Sequence, residues 1–301
     1  MKIPQPYAGV GVAVVTPFKK NKEVDFDALE NLIQYLLAGG VDYLVALGTT
    51  SESPCLTASE RNQILDVFKK QIQGRVPLVL GLGGNNTQAV IDAIQQTNLL
   101  DVSGLLLVTP YYNKPTQEGL YRHFEAIANI CPIDIILYNV PGRTGVNMNA
   151  TTTLRLAHDF RNIVAVKEAS GNLEQMMQII KDKPTYFEVI SGDDALVLPQ
   201  IAAGLNGVIS VAANVLPGVF SKMVHLAMEG KFDEARTIHL DLMDFYQLLF
   251  VEGNPAGAKC ALAELDVIQN ELRLPLIPMS EENAEKMQDE IRRIENRYSL
   301  K

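Results

Sequence analysis

A chain of 301 residues with 47% hydrophobic content and a mean hydropathy of +0.06 has apolar material for one large core. Its length fits two ordinary domains or one large α/β barrel, and a net charge of −9 argues against nucleic acid and anionic membranes as partners. Cys55, Cys131 and Cys260 are widely spaced and form no C-x-x-C pair, which points away from a disulfide framework or a zinc knuckle and toward reduced thiols.

In chain order, short apolar runs alternate with amphipathic stretches. The N-terminal run from Ala8 to Phe18 is interrupted by Gly9, Gly11 and Pro17, so a first strand over 9–16 explains it better than a signal peptide. "DFDALENLIQYLLAGG" follows as a helix stopped by Gly39 and Gly40. "DYLVALGTT" reads as the second strand, and "TASERNQILDVFKKQI" as a helix that Thr57 and Glu60 start with a capping box. Six further pairs follow. They are "VPLVLGLGG" with "TQAVIDAIQQTNLL", "GLLLVTPYY" with "QEGLYRHFEAIANI", and "IDIILYNVP" with "NATTTLRLAHDF"; then "NIVAVKEAS" with "LEQMMQIIKD", "YFEVISGDD" with "ALVLPQIAAG", and "GVISVAAN" with "PGVFSKMVHLAMEG".

Eight strand–helix pairs predict an α/β protein, a (β/α)8 TIM barrel over residues 1–230. The strands lack strict alternation, as expected when both faces are buried, and a doubly wound open sheet is the rival architecture. Residues 231–301 contain only helical patterns, "FDEARTIHLDLMDFYQLLF", "NPAGAKCALAEL" and "SEENAEKMQDEIRRIENRYSL". They are expected to form a C-terminal helical region packed on the barrel. No apolar run is long enough to cross a bilayer, and a cytoplasmic location is expected.

In such barrels the chemistry lies where strands end. Those ends carry Gly48, Thr49 and Thr50; Tyr111 and Tyr112; Tyr138 and Arg143; Lys167 and Glu168; Asp193 and Asp194; and Ser210. His123, His158, His225 and His239 all fall in helical stretches, so a Ser-His-Asp triad or a histidine-held metal lacks its key residue at the mouth. The Asp193–Asp194 pair suits helix capping better than a cation. "GLGGNN" lacks the phosphate-binding glycine patterns and reads as a tight turn.

Amine chemistry remains. Lys167 ends an apolar run, and a lysine deep in a barrel can form an imine with a ketone. The reactive amine is neutral, and desolvation favours that form. Tyrosine hydroxyls suit proton relay because they donate and accept. The amides around Gly48, Thr49 and Thr50 suit a carboxylate. On the residues alone, an imine-forming aldolase or lyase stands beside other barrel chemistries. Glu52 and Glu168 read as hydrogen-bonded scaffold groups.

The motifs "GTTSES", "TPYYN", "YNVPGRTG", "VKEASGN", "SGDDAL" and "GVISVAANV" occur in an order and spacing that resembles the dihydrodipicolinate synthase / N-acetylneuraminate lyase superfamily over residues 8–260. "YNVPGRTG" is most similar to the branch that condenses pyruvate with L-aspartate 4-semialdehyde on the route to diaminopimelate and lysine. The resemblance implies a Schiff-base lysine at Lys167 and a proton-relaying tyrosine at Tyr138. It implies that Thr49 and Thr50, with Gly48, hold the pyruvate carboxylate, and that Thr49 links Tyr138 to Tyr112 of a neighbouring subunit. Arg143 would bind the semialdehyde carboxylate, and the Ile209 carbonyl would lie near the lysine. No cofactor and no metal are implied. A homo-oligomer is implied, a tetramer built as a dimer of dimers.

Two positions depart from the family pattern. Ser51 stands where many members have glycine. Of the residues that bind inhibitory lysine in some members, Tyr111 and Asn85 match, but Ala58, Arg61 and Ala89 replace two histidines and a glutamate. Weak or absent lysine inhibition is therefore expected. Two alternatives stay open. One is an aldolase for N-acetylneuraminate or a 2-keto-3-deoxy sugar acid. The other is a catalytically silent member with a binding or regulatory role.

Overall fold

The structure, a computed structural model, describes residues 5–298. Eight parallel strands close into a barrel: β1 (Gly9–Ala13), β2 (Tyr43–Ala46), β3 (Leu78–Gly81), β4 (Gly104–Val108), β5 (Asp134–Asn139), β6 (Ile163–Glu168), β7 (Glu188–Ser191) and β8 (Gly207–Ser210), with β1 paired to β8. The closed ring decides for the (β/α)8 barrel over the open sheet. Between the strands run α1 (Phe26–Ala38), α2 (Ala58–Ile72), α3 (Thr87–Gln96), α4 (Gln117–Ala128), a single turn α5 (Pro141–Thr144), α6 (Ala150–Asp159), α7 (Leu173–Asp182) and α8 (Val197–Ala202); α9 (Pro217–Met228) follows β8.

Local chemistry starts these helices. Asp25, Asn86, Thr116, Asn149 and Asn172 each accept a backbone amide at a helix start. Thr57 and Glu60 form the expected capping box. Inward-facing Val45, Val79, Leu106, Ile136, Ile190 and Ile209 fill the barrel, while a larger apolar layer packs between the strands and the helices. The barrel base is polar. The Tyr7 hydroxyl lies 3.0 Å from Asp134 Oδ2 and 2.9 Å from the Ser103 carbonyl, and Glu188 Oε1 accepts from the Tyr7 amide at 3.3 Å.

The structure shortens the first strand, which stops at Ala13 rather than Thr16. The Asn214 side chain is the reason: it accepts from the Val15 amide at 3.1 Å and donates to the Ala13 carbonyl at 2.9 Å, taking the place of a neighbouring strand. After α9 come α10 (Phe232–Asp241), α11 (Met243–Phe250), α12 (Ala256–Glu264) and α13 (Glu281–Tyr298), with α10 packed on α9. The helix expected over 232–250 is broken at Leu242, whose amide is shared between the Ile238 and His239 carbonyls. No proline or glycine marks that break, and the apolar spacing runs straight through it, burying Ile238, Leu242, Phe245 and Leu249 on one side.

Candidate active site

Lys167 and Tyr138 come from adjacent strands β6 and β5 and are register partners. Their side chains both point into the barrel, where they are buried, and Lys167 Nζ lies 4.4 Å from the centroid of the Tyr138 ring. The lysine stem runs against Gly192. A methyl group there would sit 2.5 Å from Ala169 Cβ and 3.1 Å from Lys167 Cε, so the absence of a side chain at that position makes room for the lysine. Ile209 is buried on β8, register partner of Gly11.

One residue beyond each of those two strand positions, a polar brace ties β5 to β6. Asn139 and Glu168 are also register partners. Asn139 Nδ2 donates to both Glu168 oxygens at 3.1 Å and to Asn147 Oδ1 at 2.8 Å. Glu168 also accepts from the Ser170 amide and from Gln175 Nε2, both at 2.9 Å. Burial raises the Glu168 carboxyl above its ordinary range, against the lowering effect of these hydrogen bonds. The scaffold role expected for Glu168 therefore has its partners. The same network reaches the loop after α5, where the Met148 amide donates to Asn139 Oδ1 at 2.9 Å.

After β2 the chain makes two short 3₁₀ turns, Thr49–Ser51 and Ser53–Cys55, which the strand and helix periodicities do not foretell. Gly48 is half-buried and extended, Thr49 is exposed and Thr50 is buried. Ser51, the departure from the family pattern, is buried; its hydroxyl donates to the Val14 carbonyl at 2.7 Å, and its own carbonyl accepts from Thr16 at 2.8 Å. Thr49 and Tyr138 share no hydrogen bond among the described residues. Arg143 is exposed at the mouth on α5 and forms no ion pair among the described residues.

Tyr112 is not brought to Tyr138 by its own chain. It is 83% exposed in the loop after β4, with a left-handed backbone at φ 73°. Asp194 is buried and accepts from the Val211 and Ala212 amides at 3.0 and 2.9 Å, so it ties down the turn after β8 instead of capping its own helix. The four histidines lie on the helices α4, α6, α9 and α10 rather than on the strands, and His239 Nε2 lies 3.1 Å from the Ala195 carbonyl after β7.

Three residues that anchor the β2 turn were missed in the sequence. Asn254 Nδ2 donates to Thr50 Oγ1 at 2.9 Å. Lys259 Nζ lies 2.6 Å from Glu52 Oε1, with both side chains fully buried. The Arg273 amide donates to Glu52 Oε2 at 3.0 Å. The one signal for Lys259 was a lone charge in the apolar stretch "AGAKCALA".

The comparisons with known proteins agree with this geometry. A profile of the Dihydrodipicolinate synthetase family matches residues 6–294. A 4-hydroxy-tetrahydrodipicolinate synthase of Parabacteroides distasonis is 51% identical over 95% of this chain and 96% of its own. One of the same name from Phocaeicola vulgatus is 50% identical over 93% and 94%. The solved dihydrodipicolinate synthase of Thermotoga maritima superposes with a TM-score of 0.93 at 39% identity, covering 98% of this chain and all of that one. A barrel with a buried lysine and tyrosine at its mouth, matched along nearly its whole length, belongs to the dihydrodipicolinate synthetase family.

Proposed function

We infer that the protein catalyses the 4-hydroxy-tetrahydrodipicolinate synthase reaction, a Schiff-base condensation of pyruvate with L-aspartate 4-semialdehyde that serves diaminopimelate and lysine synthesis. Relatives of that name at about half identity over almost the whole chain support it. The observation that carries the chemistry is Lys167, buried inside a closed ring of strands with its Nζ above the Tyr138 ring.

In this reading the Lys167 amine attacks the ketone carbon of pyruvate, and water leaves. The protonated imine stabilises the electron pair left when a methyl proton departs, giving an enamine. The enamine carbon attacks the aldehyde, and Tyr138 carries protons to and from the reacting oxygen. The semialdehyde amine then displaces Lys167 by transimination and closes the ring. Thr49 and Thr50, with Gly48, hold the pyruvate carboxylate, and Ile209 presents its carbonyl near the lysine. Arg143 is an exposed cation with no ion-pair partner among the described residues, placed to take the second substrate's carboxylate.

Tyr112 joins the relay from a second copy of the chain, in a tetramer built as a dimer of dimers. Its high exposure in one chain supports a partner covering it. In this reading the barrel unit spans 1–230 and the helical unit 231–301, of which 1–4 and 299–301 lie outside the described residues. Cys55, Cys131 and Cys260 are unpaired, in keeping with the cytoplasm, and no described helix is long and apolar enough to cross a membrane. Assay with pyruvate and the semialdehyde, against cleavage of N-acetylneuraminate, tests the substrate: turnover of the first pair alone is expected. Arg143 favours it, because a polyol aldehyde gives a cation nothing to pair with.

A further inference from the structure

The turn after β2 is held from the far end of the chain. Glu52, which closes the Thr49–Ser51 turn, has φ 54°, a left-handed conformation that is unfavourable for a residue with a side chain. Such a conformation persists only where its surroundings impose it. Here both carboxylate oxygens are held, one by Lys259 Nζ at 2.6 Å and one by the Arg273 amide at 3.0 Å. Lys259 is itself fixed, donating to the Glu271 carbonyl at 2.8 Å and lying 4.1 Å from the centroid of the Phe18 ring. Arg273 is tied by its guanidinium to the Lys22 and Cys55 carbonyls and to Glu60.

Asn254 acts on the neighbouring side chain. Its amide donates to Thr50 Oγ1, a hydroxyl that is buried. A hydroxyl that accepts from an amide has its own hydrogen left to give. Asn254 thus presents Thr50 as a donor, the form a carboxylate requires. A plain structural brace could fill the space with apolar side chains at no loss of stability; it would not set the direction of one hydroxyl.

We propose that Asn254 and Lys259 are positioning residues for the 2-oxo acid: Asn254 orients the Thr50 hydroxyl as a donor, and Lys259 acts through Glu52 to fix the turn that carries Thr49 and Thr50. This rests on the reading that the turn holds the pyruvate carboxylate. The residues after the barrel then serve the first substrate through the β2 turn. They set its affinity, while the second substrate's affinity depends on Arg143 on a different loop.

The test is steady-state kinetics with both substrates on Asn254→Asp, which keeps the shape but removes the donor, on Lys259→Met, and on Thr50→Val as the reference. The expected result is a pyruvate KM raised about ten- to a hundred-fold in Asn254→Asp, the range for one hydrogen bond to a charged group, with the semialdehyde KM within about two-fold. If Thr50→Val raises the pyruvate KM and Asn254→Asp does not, the positioning role is overturned while the carboxylate reading stands. If Thr50→Val leaves it unchanged, the carboxylate reading itself fails. Lys259→Met is expected to raise the pyruvate KM with the semialdehyde KM near wild type, and a wild-type pyruvate KM there overturns its role; should it not fold, the pyruvate concentration for half-maximal borohydride trapping of Glu52→Ala replaces it, and a wild-type value overturns that role equally.

Discussion

Lys167 and Tyr138 face each other across the β5–β6 ladder, with the lysine nitrogen 4.4 Å from the centre of the tyrosine ring. That pairing is made by the backbone register, and one residue further along the Asn139–Glu168 hydrogen bonds hold the same two strands together. Removing the phenol oxygen leaves the register and the burial intact. Tyr138→Phe is therefore expected to lower kcat by about a hundred- to ten-thousand-fold, the usual contribution of a positioned proton-transfer group, while urea unfolding stays close to wild type. Unchanged kcat would remove Tyr138 from the proton relay.

Arg143 stands exposed on α5 and forms no ion pair among the described residues. Arg143→Ala should change stability by less than about 0.5 kcal/mol. Its effect should fall on the semialdehyde, with a raised KM for that substrate and a pyruvate KM near wild type. Initial-rate measurements varying each substrate in turn check this split, and equal rises in both would contradict it.

Glu188 gives the barrel base a pH dependence. Burial pushes its pKa from the ordinary 4.5 up to about 7, with Asp134 adding to the rise and the Tyr7 amide and Lys183 opposing it. A carboxyl with a raised folded pKa binds its proton more tightly when folded. Its stabilising contribution is full below the unfolded pKa and is lost as pH rises through about 7. Wild type should lose roughly 3 kcal/mol relative to Glu188→Gln between pH 4.5 and pH 8, from the size of the shift. Urea unfolding of both proteins at several pH values measures it, and parallel curves would refute it.

Lysine should inhibit weakly or not at all. Ala58 and Arg61 at the start of α2 and Ala89 on α3 are exposed, and none offers an anion to an incoming ammonium. Arg61 adds a like charge, its guanidinium donating to the Leu56 carbonyl at 3.1 Å. Initial rates with millimolar L-lysine should match those without it; half-inhibition in the low millimolar range would overturn the expectation.

The alternation of short apolar runs with amphipathic helices made the barrel readable, because β-strand and helix periods differ and capping residues such as Thr57 mark the starts. Lys167 was readable as a charge ending an apolar run. The supports of the β2 turn were not: Asn254 and Thr50 are 204 residues apart, and no local pattern encodes a contact at that distance. Glu52 was recognised as a scaffold group, but its left-handed backbone and its lysine partner follow from tertiary packing. The break at Leu242 left no trace either, since the apolar face continues through it.

Borohydride reduction in the presence of pyruvate, followed by mass spectrometry of the digested chain, tests the imine most directly. A pyruvyl adduct confined to the peptide that carries Lys167, and missing from Lys167→Ala, is the expected result. Full turnover without any adduct, or an adduct on another lysine such as Lys259, would contradict it.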